Sequence, residues 1–453
     1  MKQQPDIADL VDLLDRKVLL ELIADAQRSI WKDLFGFISG RADPRRALLR
    51  RLARRLPRQK KRIDQELLSL LSVDGTASAH ETHLPGIGHY GLFHAEIGIG
   101  QGARQMASAI KVAGIPSSLH NISLSQFESN ITFEASDSLL SCYDSVLLQF
   151  NADTFLDLLE RFPLDALYRR RRIGHWVWEL PVLPSRWIRA FDKLHEVWVP
   201  SRFVAEAVAS ATSKPVHIVP YPVPVHDHDP GDAREKLKLP RDRFIFLTIF
   251  DSNSFPARKN ALGAMRAFLE AFPKAGPSSP VLVIKCHGRG NRGAEFKKLG
   301  ELSSADNRFI LIDSVFSASE MIMLHAACDC FVSLHRAEGF GLNIAESMSK
   351  GKIVVATDFS GSTDFTRPEN SLLIPYKMAR VNKDDYIYSR GQWWAEPDQE
   401  AAVEAMRQAA SNESEIQSRA MRARADIMDK YSVQAIAKIV KAAWQRELEP
   451  FKS

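Results

Sequence analysis

Two glutamates, Glu338 and Glu346, lie eight positions apart in the stretch LHRAEGFGLNIAESMSKGK. The residues that follow the first of them are Gly339, Phe340, Gly341 and Leu342. The pattern predicts a strand, a loop and a helix that begins near Leu342, so the loop meets N–H groups that have no intrahelical partners. The glycines allow an anion to approach this backbone closely, and the positive end of the helix dipole favours a phosphate or diphosphate.

The two carboxylates suit the groups on either side of a diphosphate. We expect Glu346 in the first helical turn, where it can accept hydrogen bonds from a vicinal diol such as a ribose. Glu338 precedes the turn and faces the group beyond the phosphates. A diol, a diphosphate and a further polyhydroxylated group describe a nucleotide sugar. The alternative interpretation is an acidic pair that stabilises the N-terminus of a helix, because this spacing alone is a weak pattern.

Two further loops carry candidate ligand contacts. Arg258 and Lys259 end the loop after the predicted strand FIFLTIF, where two cations can neutralise a diphosphate or simply be solvated. In GLFHAEIGIGQGARQ, Gly98, Gly100 and Gly102 predict a glycine-rich loop that runs into a helix. The acid of a dinucleotide fingerprint does not follow it, so this loop indicates only close backbone approach to a ligand from the facing domain.

Strands alternate with helices from about residue 81 onward. The predicted strands lie near residues 89–94, 146–150, 173–178, 196–199 and 216–219, and near 244–250, 281–286, 308–312, 331–334 and 353–356. This alternation predicts parallel sheets covered on both faces, with ligands beyond the carboxyl ends of the strands. The fold class is α/β, with two facing Rossmann-like doubly wound domains and a cleft between them. The proline-rich stretch VPYPVPVHDHDPGD at residues 219–232 predicts the linker.

Four regions follow from this pattern. They are a helical basic extension (residues 1–80), a first, acceptor-side domain (81–225), a second, nucleotide-sugar-binding domain (226–430) and a C-terminal helix (431–453) that packs back on the first domain. Between Arg41 and Arg62 there are eleven basic residues and one acid, a charge of +10, whereas the whole chain carries +5. This basic amphipathic helix either docks on the body or lies on an anionic membrane surface. Nucleic acid is not expected, because no aromatic residues interleave the arginines.

Composition indicates a soluble cytoplasmic protein. Of 453 residues, 45% are hydrophobic and 25% charged, with no apolar run long enough to span a bilayer and no signal peptide at the start. The four cysteines make no disulfide framework, and Cys328 and Cys330 predict small apolar residues near a buried strand, not zinc ligands. The segment Asp227-His228-Asp229 matches a metal-binding D-x-D pattern but lies in the linker, so no metal or cofactor is predicted.

The second half resembles the glycosyltransferase family 4 group of GT-B enzymes. RKNALGAMRAF, CDCFVSLHRAEGFGLNIAESMSKGKIVVAT and GSTDF carry this resemblance. WWAEPDQEAA, GIGQGAR, IGHWVWELPVLPSRW and EVWVPSRFVAEAV resemble a bacterial polysaccharide-assembly branch of that group. The resemblance covers about residues 85–445.

This resemblance implies a retaining, metal-independent hexosyltransferase that uses a nucleotide sugar. Glu346 would bind the ribose, Glu338 the donor sugar, and the backbone of residues 339–342 the sugar and diphosphate. Arg258 and Lys259 would hold the diphosphate and stabilise the leaving group. Many members place the arginine about five residues before the lysine, where this chain has Ser254. The implied acceptor is a growing polysaccharide or a lipid-linked oligosaccharide at the inner membrane face.

The segment IGHWVWELP adds three candidates for an acceptor or donor-sugar pocket: His175, Trp178 and Glu179. A single histidine among aromatics also fits a structural role. Three alternative functions stay open: a glycosyl phosphorylase, a nucleotide-sugar epimerase, or a non-catalytic sugar- or membrane-binding module.

Overall fold

The computed structural model describes residues 83–124, 131–139, 141–158, 164–167, 170–225, 229–251, 255–287, 294–411 and 413–446. The predicted helical extension, its basic segment, Asp227, His228 and Ser254 lie outside these residues.

The first half of the described chain forms a six-stranded sheet. Its strands are β1 (Leu84–Gly91), β2 (Ser117–Asn121), β3 (Tyr143–Gln149), β4 (Arg171–His175), β5 (Glu196–Val199) and β6 (Val216–Ile218). They lie in the order β2-β1-β3-β4-β5-β6, and all neighbours are parallel. The helices are α1 (Gly98–Val112), α2 (Ala152–Leu158), α3 (Leu164–Leu167), α4 (Ile188–Phe191) and α5 (Arg202–Ala209), with a 3-10 helix at Ser185–Trp187. The sequence pattern misses β2, whose residues SSLHN are mostly polar.

The second half repeats this architecture. Its strands are β7 (Ile245–Asp251), β8 (Val281–His287), β9 (Phe309–Asp313), β10 (Cys330–Ser333), β11 (Ile353–Thr357) and β12 (Leu372–Ile374), in the parallel order β12-β11-β10-β7-β8-β9. The helices are α6 (Pro230–Lys236), α7 (Pro256–Lys259), α8 (Ala261–Ala271), α9 (Ala294–Ala305), α10 (Ala318–Ala327) and α11 (Leu342–Ser349), then α12 (Gln399–Ala409), α13 (Ser414–Lys430) and α14 (Val433–Gln445), with a 3-10 helix at Ser360–Asp364. The prediction of two Rossmann-like domains is confirmed.

Local sequence explains where these elements form. The strand β7 reads IFLTIFD and is buried along six of its seven residues, as expected for a strand covered on both faces. The helix α10 begins with a capping box, in which the Ser317 hydroxyl accepts a hydrogen bond from the Glu320 backbone N–H and the Glu320 carboxylate accepts one from the Ser317 backbone N–H.

The strand order places a topological switch point in each sheet. In the second sheet the chain starts at β7, adds β8 and β9 on one side, and then returns to add β10 on the other side of β7. The loops after β7 and β10 therefore leave the sheet side by side. Open parallel sheets bind ligands in this crevice.

A hairpin that the sequence pattern does not predict joins the two halves. Its antiparallel strands, β13 (Tyr376–Arg380) and β14 (Trp393–Pro397), belong to neither six-stranded sheet. The loop between them reaches the first domain, where the Gln392 side chain donates a hydrogen bond to the Val182 carbonyl at 2.7 Å.

The helix α14 packs against α1 of the first domain. The Arg171 guanidinium donates hydrogen bonds to the carbonyls of Ala443 and Trp444 near the end of this helix. Among the described residues, no helix has both the length and the apolar composition needed to cross a bilayer.

Candidate active site

The glycine-bearing loop after β10 enters α11 through a left-handed turn. Gly341 is the N-cap of the helix and has φ +96°, a conformation that favours glycine. The space around the loop is tight, because a Cβ at Gly339 would lie 2.3 Å from Cγ2 of Val177, and one at Gly361 would lie 2.3 Å from the Gly339 carbonyl oxygen. The sequence prediction of the helix start at Leu342 is confirmed. Its first-turn N–H groups lie at the switch point.

Glu338 meets both predicted cations at this point. Its carboxylate forms an ion pair with the Lys259 ammonium, and its second oxygen lies 3.3 Å from the Arg258 guanidinium. Arg258 also donates to the Ala337 carbonyl at 2.8 Å. Arg258 and Lys259 lie in the short helix α7 and not, as the sequence predicts, in a loop. The structure therefore brings together side chains from α7 and from the loop after β10, on the two sides of the switch point.

Burial and pairing act against each other in this cluster. Burial raises the pKa of the Glu338 carboxyl, but Lys259 and Arg258 outweigh it and lower that pKa to about 2. Burial lowers the pKa of Lys259, and the neighbouring Glu338 offsets this only in part. For Arg258, burial lowers the pKa, while Glu338 and Glu179 raise it above its ordinary value. Glu338 is therefore ionised at neutral pH.

A carboxylate of the first domain completes the cluster. Glu179 lies 3.8 Å from the Arg258 guanidinium and accepts a hydrogen bond from the hydroxyl of Tyr386, in the hairpin loop. The Tyr386 ring also packs on Phe255. The Arg258 guanidinium lies over the face of the same ring, with 5.9 Å between the guanidinium carbon and the ring centre. Arg258 therefore lies between acids from both domains.

Glu346 faces the first domain. Its Oε1 accepts hydrogen bonds from the side-chain amides of Gln101, at 2.6 Å, and Gln105, at 3.2 Å. Its Oε2 lies 3.4 Å from Nε2 of His325 on α10. The expectation that Glu346 stands in the first helical turn is wrong: α11 starts at Leu342, so Glu346 is its fifth residue and lies in the second turn.

The glycines near residue 100 form a helix instead of a loop. The helix α1 begins at Gly98, so Gly98, Gly100 and Gly102 all lie within its first turns. A Cβ at Gly100 would lie 2.5 Å from the Ala95 carbonyl oxygen, and one at Gly102 would lie 2.6 Å from the Tyr221 ring. These two glycines allow close packing. A Cβ at Gly98 would meet nothing within 4 Å, so of these three glycines Gly98 alone has open space beside it.

Three predicted contact residues are part of the core. The Phe340 ring packs on Tyr221 and Phe365, which leaves only its backbone to face a ligand. His175 is 2% exposed and its Nε2 lies 3.1 Å from the Val219 carbonyl oxygen. Trp178 is 1% exposed and donates to the Val182 carbonyl. Of the three candidates in IGHWVWELP, only Glu179 reaches the charged cluster.

The remaining predicted positions have structural surroundings. Asp229 caps α6 by accepting a hydrogen bond from the Asp232 backbone. Cys328 and Cys330 are both buried, and Cys330 lies in β10. In the part of the chain that the structure describes, no group of three or more His, Cys, Asp or Glu side chains could hold a metal ion.

Four residues in contact with the site are missed by sequence reasoning: Gln101, Gln105, His325 and Tyr386. Gln101 and Gln105 are four positions apart on α1, so their shared face was readable from helical spacing. Tyr386 follows no periodic pattern, and only the folded hairpin brings it to Glu179.

Comparison with known proteins gives a family match for part of the chain. Residues 255–383 match the family model described as "Glycosyl transferases group 1". No curated protein matches the chain.

Solved structures cover more of the chain. Sucrose-phosphate synthase of Thermosynechococcus elongatus is 15% identical, covers 80% of this chain and 98% of its own, and superposes with a TM-score of 0.58. Anabaena Alr3699/HepE, in complex with UDP and glucose, is 14% identical over 80% of this chain and 99% of its own, with a TM-score of 0.59. A glycosyltransferase of Rickettsia africae is 14% identical over 80% and 98%, with a TM-score of 0.57. The fold of the described chain is GT-B.

Proposed function

We propose that the protein is a glycosyltransferase that binds the diphosphate of a nucleotide sugar at the start of α11. One observation carries this proposal: Lys259 of α7 and Glu338 of the loop after β10 meet at the switch point, beside the helix N-terminus capped by Gly341. A fixed cation, free helix N–H groups and a bare backbone are what a diphosphate needs. The match of residues 255–383 to a glycosyltransferase family supports the same reading.

In this proposal the roles follow from position. Lys259 and Arg258 contact the diphosphate, and the backbone of residues 339–342 contacts the diphosphate and the sugar. Glu338 exchanges part of its pairing with Lys259 for hydroxyls of the donor sugar. Glu346 binds the ribose after it releases Gln101.

The electrostatics suit cleavage of a sugar–phosphate bond. Breaking that bond develops negative charge on the diphosphate and positive charge on the sugar ring. Buried cations and oriented N–H groups stabilise the leaving group without reorganising, and this is often the largest catalytic contribution. We propose that Lys259, Arg258 and the helix amides supply this charge without a metal, and that the sugar is transferred with retention.

The structural neighbours guide the choice of substrates. HepE has been crystallised with UDP and glucose and with UDP-glucose. A hexose from a uridine nucleotide is therefore the first donor to test. For the acceptor, we propose a growing polysaccharide or a lipid-linked oligosaccharide, by resemblance to the polysaccharide-assembly branch of family 4.

A thermal-shift panel of nucleoside diphosphates and nucleotide sugars tests the donor site. A ligand at 100 times its Kd stabilises the native state by about 2.7 kcal/mol, which raises the melting temperature measurably. We expect the shift in the wild-type protein and in Lys297→Ala, whose side chain is 80% exposed on α9. We expect it to disappear in Lys259→Ala. Equal shifts in both variants would contradict the proposed diphosphate contact.

Product analysis separates the alternative functions. A transferase releases nucleoside diphosphate only when an acceptor is present, and the anomeric configuration of the product reports retention. Phosphate-dependent turnover would indicate a phosphorylase, and conversion of the donor without an acceptor would indicate an epimerase. A non-catalytic sugar- or membrane-binding module would show no turnover, and Glu338→Ala would leave its function intact.

We also propose that residues 41–62, which carry a charge of +10, bring the enzyme to an anionic membrane surface at the cytoplasmic face. Sedimentation with anionic liposomes at two salt concentrations tests this proposal. Salt-sensitive binding that is lost when residues 41–62 are removed would support it. Binding that does not change with salt concentration, or that persists after residues 41–62 are removed, would contradict this proposal.

A further inference from the structure

A cavity of about 360 Å³ lies between the β13–β14 hairpin and the start of α8. Eleven residues line it, and they come from α7, the start of α8, the loop after β10 and the hairpin with its connecting loop. None of them is among the residues proposed to bind the donor. The cavity is therefore separate from the diphosphate site.

The lining has the composition of a carbohydrate site. Seven of the eleven side chains are charged or carry an amide, and these planar groups can donate or accept paired hydrogen bonds from neighbouring hydroxyls. Trp394 forms part of the cavity wall, but little of its ring is open to a ligand. Its position is fixed, because it is 3% exposed and Arg336 stacks 5.4 Å from its ring centre.

The charge of the lining favours an acid. Three arginines and two acids give a net charge of +1. Arg336 is already paired with Glu396 through two hydrogen bonds, at 2.6 and 2.9 Å. Arg266 and Arg380 are both exposed. The Arg380 guanidinium lies 5.2 Å from the ring centre of Trp393, so Arg266 is the stronger candidate to meet an acid at the cavity. Guanidinium groups bind carboxylates in a planar, paired geometry.

The cavity is connected to the catalytic segment through backbone contacts. Ala257 and Asn260, which line it, directly precede and follow Arg258 and Lys259. The Arg336 backbone N–H donates to the Arg258 carbonyl at 2.8 Å, and its guanidinium donates to the Ala257 carbonyl at 2.5 Å. A ligand held against Arg336 would therefore lie on the reverse side of the helix that presents both cations.

We propose that this cavity binds an acidic saccharide unit, such as a hexuronic acid, outside the donor site. The carboxylate pairs with Arg266, and the hydroxyls bond to Asn382 and Asp385. If the proposed function is correct, the saccharide unit bound here is part of the acceptor. The binding of an acidic saccharide to this cavity does not depend on the proposed function.

Titration calorimetry with saccharide probes tests the site. The probes are glucuronate, trigalacturonate and, as a neutral control, maltotriose. We expect the acidic sugars to bind and maltotriose to bind more weakly. Arg266→Ala should weaken acid binding by roughly tenfold, the effect of losing a charge-assisted hydrogen bond, and Asn382→Ala by roughly threefold to fivefold, the effect of losing a neutral one. Lys383→Ala removes an exposed cation of the same loop that does not line the cavity, and it should leave binding unchanged.

Several results would overturn the proposal. These are no binding of either acidic probe, equal binding of maltotriose, or binding that neither Arg266→Ala nor Asn382→Ala weakens while both variants keep the wild-type melting temperature. Trigalacturonate binding without glucuronate binding would still support it, and would identify a chain instead of a single sugar. Nucleotide-induced thermal shifts of the same variants report on the donor site, so failure of one site is distinguishable from failure of the other.

Discussion

The contact between α1 and α11 predicts that removing a glutamine improves nucleotide binding. Gln101 and Glu346 are joined by a direct 2.6 Å hydrogen bond between the two domains, which leaves no room for a ribose between these side chains. If Glu346 binds the ribose diol, Gln101 must first be released. The variant Gln101→Ala eliminates this competitor and keeps the glutamate.

The magnitude follows from the type of hydrogen bond. A hydrogen bond to a charged group contributes about 1.5–3 kcal/mol. The Glu346 side chain is 15% exposed, so water replaces part of the lost interaction, and we take the lower end of that range. About 1.4 kcal/mol corresponds to tenfold tighter binding. Gln105 lies at 3.2 Å and its bond is longer, so Gln105→Ala should improve affinity only about twofold to threefold.

Titration calorimetry with UDP measures this effect. The matched control is Gln408→Ala, on the exposed face of α12, which should bind UDP like the wild-type protein. Glu346→Gln should bind more weakly if the ribose contact is correct. Unchanged or weaker binding by Gln101→Ala would refute the competition, and weaker binding in particular would make this glutamine a contact of the bound nucleotide.

Three other predictions concern the surroundings of the site. Tyr386→Phe removes the hydroxyl that donates to Glu179 and should lower the free energy of unfolding by about 1 kcal/mol, measured by urea denaturation. Burial lowers the pKa of His89 to about 3 and of His175 to about 4, from 6.5, so the unfolded chain binds protons that the native state does not, and stability should fall as the pH falls from about 6.5 to about 4. Gly341→Ala places a side chain at φ +96° and should lower stability by about 1 kcal/mol and weaken UDP binding.

Each of these has a distinct contradicting result. If Tyr386→Phe is as stable as the wild-type protein, the hydrogen bond from Tyr386 to Glu179 does not stabilise the fold. A urea midpoint that stays constant between pH 6.5 and pH 4 would contradict the neutral buried histidines. For the glycine, Gly391→Ala is the control, because Gly391 has φ +76° in the hairpin loop with open space around its Cβ position. It should lose stability and keep UDP binding, and a loss of binding in both variants would contradict a local role for Gly341.

Much of the fold was predictable because parallel strands carry their own signal. Strands such as β7 are buried on both faces and read as continuous hydrophobic runs, and helices such as α10 begin with a readable cap. The hairpin gives no such signal. In YKMAR four of five residues are exposed, and the strand is defined by its partner, WWAEP, and not by an apolar face.

The candidate site divides in the same way. Glu338 lies in the loop after β10, and Arg258 and Lys259 lie in α7, shortly after β7, so the topology rule for parallel sheets places them together. The two glutamines that donate to Glu346 lie on the facing domain. Gln101 is 245 positions away in sequence, and its contact depends on how the two halves pack. The helix start at Leu342 was predicted correctly, but Glu346 is the fifth residue of the helix. A turn has 3.6 residues, so Glu346 lies in the second turn and not in the first.

A crystal structure of the protein with UDP tests the central claim most directly. We expect density for the two phosphates beside the Lys259 ammonium and the N–H groups at the start of α11. We also expect the ribose hydroxyls to bond to the Glu346 carboxylate, where the Gln101 amide bonds without nucleotide. Density for the phosphates elsewhere, including the cavity behind the hairpin, or a Glu346 carboxylate that keeps its glutamine partners while the nucleotide is bound, would contradict that claim.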